Sequence, residues 1–295
     1  MLDLWLPLIK VKYGVTVIMY MVKEKMNDKI RAEKSIVIAS HPRSGTHLLI
    51  DFIRKNIPEA SALKKRFTFK SETYIDLDDI LGLEESIHEG RYRAGLTIDR
   101  PIYKTHRLPD YEEPFQYLAP IVESQKALAN SLQREAKHIY VYRDLTKVMI
   151  SLYQYSGVWN QGVGFSEFIR EVRRRQGLSR VGCWALHMTK WCGHENTLLM
   201  NFSDIITEPL NAYLAITEFC DLPSVHRSVQ LPVAPKTLFE QRIKRFFSSK
   251  PDSSGIFSFS NKMPRVTLSK EDLDFMKQEV NEVNKSLFKL NIGVC

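Results

Sequence analysis

The stretch SIVIASHPRSGTHLLIDFIRKN, residues 35–56, opens on a run of β-branched residues and closes on apolar positions at Leu48, Leu49, Phe52 and Ile53. A short apolar run thus gives way to helical spacing, which predicts a strand over 35–39 and a helix over 48–56. Between them lies the polar turn Pro42-Arg43-Ser44-Gly45-Thr46-His47. A turn at the start of a helix presents unpaired backbone N–H groups and the positive end of the helix dipole, so it favours an anion. Gly45 permits close backbone approach, Ser44, Thr46 and His47 add donors, and Arg43 adds a full charge. Alone, Ser-Gly-Thr reads better as a helix cap; the remaining strand ends decide between the two.

Outward from this unit, PIYKTH (101–106) and HIYVYRD (138–144) read as strands that also end in polar residues, the second followed by a helix over 146–155. A fourth strand, 197–202, follows a helix carrying Trp184, His187 and Trp191. The alternation is that of an α/β chain. In an open parallel sheet ligands bind beyond the carboxyl ends of the strands, and here three of those ends deliver polar groups. Residues 268–290 place Leu273, Met276, Val280, Val283 and Leu287 three and four apart behind a Ser269–Asp272 capping pair, which predicts a structural helix. Two long loops are expected, over 110–136 and 236–264, as binding loops or lids. Their Tyr111, Phe115, Tyr117, Phe246, Phe247 and Phe257 suit a planar or greasy acceptor and equally suit packing of the loops onto the core. Arg170, Arg173, Arg174 and Arg175 read as a solvated helix face.

With 295 residues, the chain can bury about three quarters of its unfolded surface in one core. A hydrophobic share of 44% beside 26% charged residues excludes a disordered chain, and no repeat or low-complexity tract is present. The formal charge of +8 favours anionic partners: a nucleotide, a sulfated or phosphorylated metabolite, nucleic acid or an acidic membrane surface. Cys183, Cys192, Cys220 and Cys295 are widely spaced without a metal pattern, so free thiols, no metal and a reduced, cytoplasmic setting are expected. The apolar amino terminus is divided by Lys10 and Lys12 into runs shorter than the roughly 20 residues of a membrane helix. Residues 1–34 are therefore expected to form an extension on or near a domain spanning 35–295, with no stable membrane insertion. The sequon at Asn201 falls on an expected buried strand, where a glycan would be hard to fit.

The nucleoside-triphosphate P-loop, GxxxxGK[ST], is the obvious comparison, but Ser40 stands at its first Gly and Thr46 at its Lys. SHPRSGTHLL instead resembles the 5′-phosphosulfate loop of PAPS-dependent sulfotransferases of the cytosolic and bacterial type. YVYRDLTKVMISLYQY resembles their 3′-phosphate segment, with Arg143 ending a strand and Ser151 eight positions later. PIYKTHRLP, lying between the two, is similar to the catalytic strand end of that family.

The resemblance implies a single α/β domain around a central parallel sheet flanked by helices, related to P-loop kinases and needing no metal. It implies transfer of a sulfuryl group from 3′-phosphoadenosine 5′-phosphosulfate (PAPS) to a hydroxyl or amine of a small molecule by in-line displacement, releasing adenosine 3′,5′-bisphosphate. Arg43, Ser44, Gly45, Thr46 and His47 would hold the 5′-phosphosulfate, and Arg143 and Ser151 the 3′-phosphate. His106 would be the general base, a role that the residues alone weigh about evenly against an exposed loop histidine. Lys104 and Arg43 would stabilise charge on the leaving phosphate. The chain departs from the family at Leu48, where a Trp commonly stacks on adenine, at His47 in place of a Thr, and at Phe202 in NFSD in place of a Tyr. Leu48 or Phe202 is then the expected adenine contact, and Lys250 stands in for an Arg-Lys-Gly stretch. The rival readings are a P-loop nucleotide kinase, which lacks its Lys, and a basic nucleotide- or nucleic-acid-binding module, for which no nucleic-acid motif is present.

Overall fold

Strand β1, Ile36–Ala39, is buried along its whole length, because its side chains serve two cores at once. Ile36 and Ile38 face one side of the sheet and Val37 and Ala39 the other, as the two-residue period of a strand requires. The structure is a computed structural model and describes residues 32–60, 74–81, 100–111, 120–121, 123–223, 228–232 and 264–289.

Helix α1, Thr46–Asn56, follows the turn and begins two residues earlier than the apolar spacing indicated. The chain continues through β2 (Ile75–Asp76), α2 (Leu77–Leu81), β3 (Ile102–Thr105), α3 (Lys126–Glu135) and β4 (Lys137–Tyr142). After these come α4 (Leu145–Ser156), α5 (Phe165–Arg170), a hairpin of β5 (Val172–Arg173) and β6 (Leu178–Ser179), and α6 (Arg180–Cys192). Strand β7 (Thr197–Asn201) leads into α7 (Phe202–Thr207) and α8 (Pro209–Phe219), and α9 spans Lys270–Lys289.

Five strands form one parallel sheet in the order β2-β3-β1-β4-β7. The connection from β1 therefore leads to one side of it and that into β4 to the other. This reversal opens a crevice beyond the carboxyl end of β1. One face of the sheet is covered by α1 and α8 through Leu49, Phe52, Ile53, Tyr213 and Ile216. The other is covered by α3 and α6 through Ala129, Leu132 and Trp191. A third cluster joins α4, α5, α6 and α9 through Met149, Phe168, Val181 and Met276.

Three local expectations are corrected, and one left open, that of Tyr111, is decided. Residues 126–135 form a helix inside the region expected to be a loop, since Ala129, Leu132 and Ala136 give it a buried stripe. Of the basic run only Arg170 lies on a helix, at the end of α5, while Arg173, Arg174 and Arg175 belong to a hairpin: Gly177, at φ 63°, turns the chain between β5 and β6, and Glu171 pairs with both Arg173 and Arg180. In α9, Met276, Val283 and Leu287 are buried as expected while Leu273 is exposed on the first turn. Ser269 caps that helix by accepting from the Asp272 N–H at 3.1 Å, but the Asp272 carboxylate turns away to Arg170 at 2.6 Å. Tyr111 lies in the core, where its hydroxyl meets His138 Nε2 at 2.8 Å.

Residues 1–31, the aromatic residues Phe115, Tyr117, Phe246, Phe247 and Phe257, and Lys250 and Cys295 lie outside the described residues. Among the described residues no helix is long and apolar enough to cross a membrane. The Asn201 carboxamide ends β7 and caps α7 by accepting from the Ser203 N–H at 2.8 Å.

Candidate active site

The carboxyl ends of β1, β3 and β4 bring the polar turn, the Lys104–His106 segment and Arg143 to one edge of the sheet. Gly45 makes the turn possible. Its φ of 112° is in the left-handed region, and a Cβ there would lie 2.2 Å from Cδ2 of Phe202. Arg43 adopts a φ of 72°, a conformation uncommon for a residue with a side chain. The Thr46 hydroxyl is fixed by Ser40 Oγ at 2.5 Å, and α1 has no side-chain cap. Ser44 Oγ is buried without a hydrogen-bond partner among the described residues. His47 is exposed beside the Tyr74 ring at 5.5 Å, and Leu48 leans on the core beneath α1.

Arg43 does not turn toward Lys104. Its Nε donates to Ser151 Oγ at 3.1 Å and its guanidinium lies 4.5 Å from the centre of the Tyr155 ring. Burial and the neighbouring Arg143 both disfavour the Arg43 charge, which Tyr155 only partly supports. Arg143 covers the Phe202 ring at 4.7 Å, and its Nε is buried without a partner among the described residues. Asp144 is engaged elsewhere, capping α4 through the Lys147 N–H at 3.0 Å, so the Arg143-Asp144 pair is not a surface ion pair. Two arginines and the Ser151 hydroxyl thus lie together, Arg143 Nε is an orphaned buried atom among them, and Ser44 Oγ is a second one on the residue after Arg43. A polyanion satisfies that arrangement, since each orphan is costly to leave unpaired and the guanidinium fork suits a phosphate.

His106 lies just past β3. Its Nδ1 is 2.7 Å from the Ser40 carbonyl, which can only accept, so Nδ1 carries the proton and Nε2 keeps its lone pair. Burial first, and then Lys104, hold the ring well below the ordinary histidine value. Lys104 Nζ donates to Asp76 Oδ2 at 3.0 Å. Burial alone would lower the Lys104 pKa, but Asp76 and Asp78 outweigh it and keep the ammonium charged. The carbonyls after the ring are gripped from α6: His187 Nε2 approaches the His106 oxygen at 3.1 Å, and Trp191 Nε1 donates to the Arg107 oxygen at 3.0 Å. The other ring nitrogen of His187 meets the Tyr140 hydroxyl at 2.9 Å.

Asp76 and Asp78 carry no signal in the sequence; the motif TYIDLDDI offers three acidic residues in and after a two-residue strand and no periodicity to place them. His187 is legible in the sequence only as a helix residue, and nothing local links it to His106. Among the described residues no group of three or more His, Cys, Asp or Glu is placed to hold a metal ion.

A family model for the sulfotransferase domain matches residues 33–237. The chain belongs to this family. Among solved structures, mouse sulfotransferase SULT7A1 complexed with PAP is similar at 16% identity, with 85% of this chain and 84% of that chain covered and a TM-score of 0.49. Retinol dehydratase in complex with androsterone and inactive cofactor PAP is similar at 17% identity, over 86% of this chain and 80% of that one, with a TM-score of 0.44. No curated protein sequence matches the chain.

The histidines of this sulfotransferase domain have a consequence for stability. Burial pushes His41 down to about 4 and His138 down to about 3, and holds His187 well below its ordinary value. The unfolded chain takes protons on these rings near pH 6.5 while the folded one does not, so stability is lost as pH falls from about 6.5 toward 4. Asp78, raised to about 6 by burial and Asp76, works in the opposite sense over the same range. The histidines outnumber it. At pH 5 each buried ring costs about 2 kcal/mol relative to neutral pH, so the urea midpoint should drop between pH 7 and pH 5; an unchanged midpoint would contradict the buried neutral rings.

Proposed function

We propose that this sulfotransferase uses PAPS as its donor, with His106 as general base, and acts on a hydroxyl or amine of a small-molecule acceptor. The observation that carries the reading is the convergence of the Ser44 turn, the Arg43–Arg143–Ser151 cluster and His106 beyond the ends of β1, β4 and β3.

In this reading Arg43, Ser44, Gly45, Thr46 and His47 hold the 5′ end of the nucleotide, with Ser44 Oγ gaining the partner it lacks. Arg143 and Ser151 hold the 3′-phosphate, and Phe202 or Leu48 offers an apolar surface to adenine. Lys250 belongs to the proposal as a further 3′-phosphate contact. The donor supplies an activated sulfuryl group with adenosine 3′,5′-bisphosphate as its leaving group. His106 Nε2, unprotonated at neutral pH, takes the proton of the acceptor as the acceptor atom bonds to sulfur. Lys104, kept cationic by its two carboxylates, favours the charge that builds on the departing phosphate oxygen, and Arg43 joins it by leaving Ser151. The proposal includes a cytoplasmic setting, supported by the spacing of the cysteines, and a domain running from residue 35 to residue 295 with 1–34 as an extension.

A thermal-shift comparison tests the donor. Adenosine 3′,5′-bisphosphate at about 100 times its Kd should add about 2.7 kcal/mol, a rise of several degrees in Tm. ATP with Mg²⁺ should add little. The opposite pattern would favour a P-loop kinase, and no shift with either would leave the PAPS reading without its central support.

A further inference from the structure

One fully engaged carboxylate does more than balance the charge of Lys104. Asp78, on the first turn of α2, has a side chain only 8% exposed. Its Oδ1 accepts from the Thr105 hydroxyl at 2.7 Å, and its Oδ2 accepts from the His106 N–H at 2.9 Å. Lys104 Nζ stands 4.0 Å from Oδ2, and Arg107 Nε stands 3.8 Å from Oδ1. Thr105 Oγ1 in turn accepts from the Arg107 N–H at 3.0 Å. Four consecutive residues, 104 to 107, therefore close on one carboxylate. We propose that Asp78 is a positioning residue, whose ionised carboxylate clasps the end of β3 so that His106 is aimed and Lys104 stays balanced, and that sulfuryl transfer needs the clasp closed. This rests on the PAPS and His106 reading given above.

The charges around the clasp are Lys104 and Arg107 from β3 and the turn after it, and Asp76 from β2. Tyr111 packs near enough for its own ionisation to be opposed by Asp78. Two carboxylates face two cations. A proton on Asp78 leaves the cluster with one uncompensated positive charge beside His106. It also turns one acceptor oxygen into a hydroxyl, so the bonds from the His106 N–H and the Thr105 hydroxyl lose the negative charge that strengthens them. Burial, with Asp76 adjacent, places that protonation at about pH 6, where His106 is still a free base. The acid limb of the rate profile then belongs to Asp78 and not to the base.

The test is the pH dependence of kcat in the wild type, Asp78→Asn and Thr105→Val, with adenosine 3′,5′-bisphosphate binding measured by calorimetry in each. Wild-type kcat should fall as pH is lowered through about 6. Asp78→Asn, close to isosteric, should be at least about 10-fold slower at pH 7.5 and flat from pH 7 to 5.5, with its affinity for the bisphosphate within about 2-fold. Thr105→Val removes a hydrogen bond that favours the ionised carboxylate, so its acid limb should move to higher pH. A readout without turnover separates this proposal from the reading beneath it: the backbone amide resonance of His106 should titrate near pH 6 in the wild type and not in Asp78→Asn. An amide that titrates identically in both, or an Asp78→Asn variant with the wild-type rate and acid limb, overturns the clasp. A wild type that shows the amide titration but binds no bisphosphate overturns the PAPS reading and leaves the clasp standing.

Discussion

Replacing His106 with alanine should lower turnover about 1,000-fold while leaving the affinity for adenosine 3′,5′-bisphosphate within about 3-fold, because a positioned general base contributes on the order of 10² to 10⁴ in rate. The geometry gives this expectation its shape. The Ser40 carbonyl fixes the tautomer through Nδ1, so the ring offers one lone pair, at Nε2. Burial and Lys104 hold its pKa low, and the ring is therefore ready to accept a proton at pH 7 without first losing one. His106→Gln retains a donor toward Ser40 and loses the base, so it should be as slow as the alanine variant. Rapid-quench measurement of single turnovers, with PAPS bound before the acceptor is added, reads the chemical step apart from binding. Full turnover in His106→Ala with intact nucleotide binding would remove histidine from the mechanism.

The second large effect is expected at Arg143. Its buried Nε has no partner among the described residues, and its guanidinium lies against Phe202 and close to Arg43. Arg143→Ala should weaken binding of adenosine 3′,5′-bisphosphate about 100-fold or more, the value of two charge-assisted hydrogen bonds to one phosphate. Adenosine 5′-monophosphate, which lacks the 3′-phosphate, should lose less than about 3-fold. Arg143→Lys should resemble the alanine variant, since an ammonium cannot reproduce the fork. The nucleotide-free protein should not be destabilised, because the substitution relieves repulsion with Arg43. Equal losses for both nucleotides, measured by calorimetry, would mean that Arg143 supports the fold of the site and not the 3′-phosphate.

The parts of this site carried by strong local signals were legible in the sequence. The strands containing Ile36, Tyr103 and Ile139 were readable to within one or two residues, since each is a short apolar run ended by polar side chains. The direction of Arg43 was not readable. Its left-handed backbone has no local signal, and its bond to Ser151 depends on a helix that begins about a hundred residues later. Asp76 and Asp78 escaped because carboxylates in a two-residue strand and a one-turn helix leave no period behind. Helix α3 escaped for a different reason: Pro114 and Pro120 mark the region as irregular, and its buried stripe is only Ala129, Leu132 and Ala136. Arg173, Arg174 and Arg175 read as a continuation of the helix that ends at Arg170, because dense charge hides the turn at Gly177.

The central place of β1 also governs when a nascent chain can use its turn. Among the described strands of the sheet β1 is the first to be synthesised, yet both its neighbours, β3 and β4, come much later. Parallel neighbours cannot be joined by a tight hairpin, so each closure carries the entropy of a long loop before any ladder bond is returned. Until Thr105 has left the ribosome, Ile36, Val37 and Ile38 form an apolar segment with two unpaired edges, and one edge stays unpaired until Tyr142 follows. Folding of this chain should therefore be slow, and the interval before β4 arrives is when the growing polypeptide is most exposed to aggregation and most dependent on chaperones.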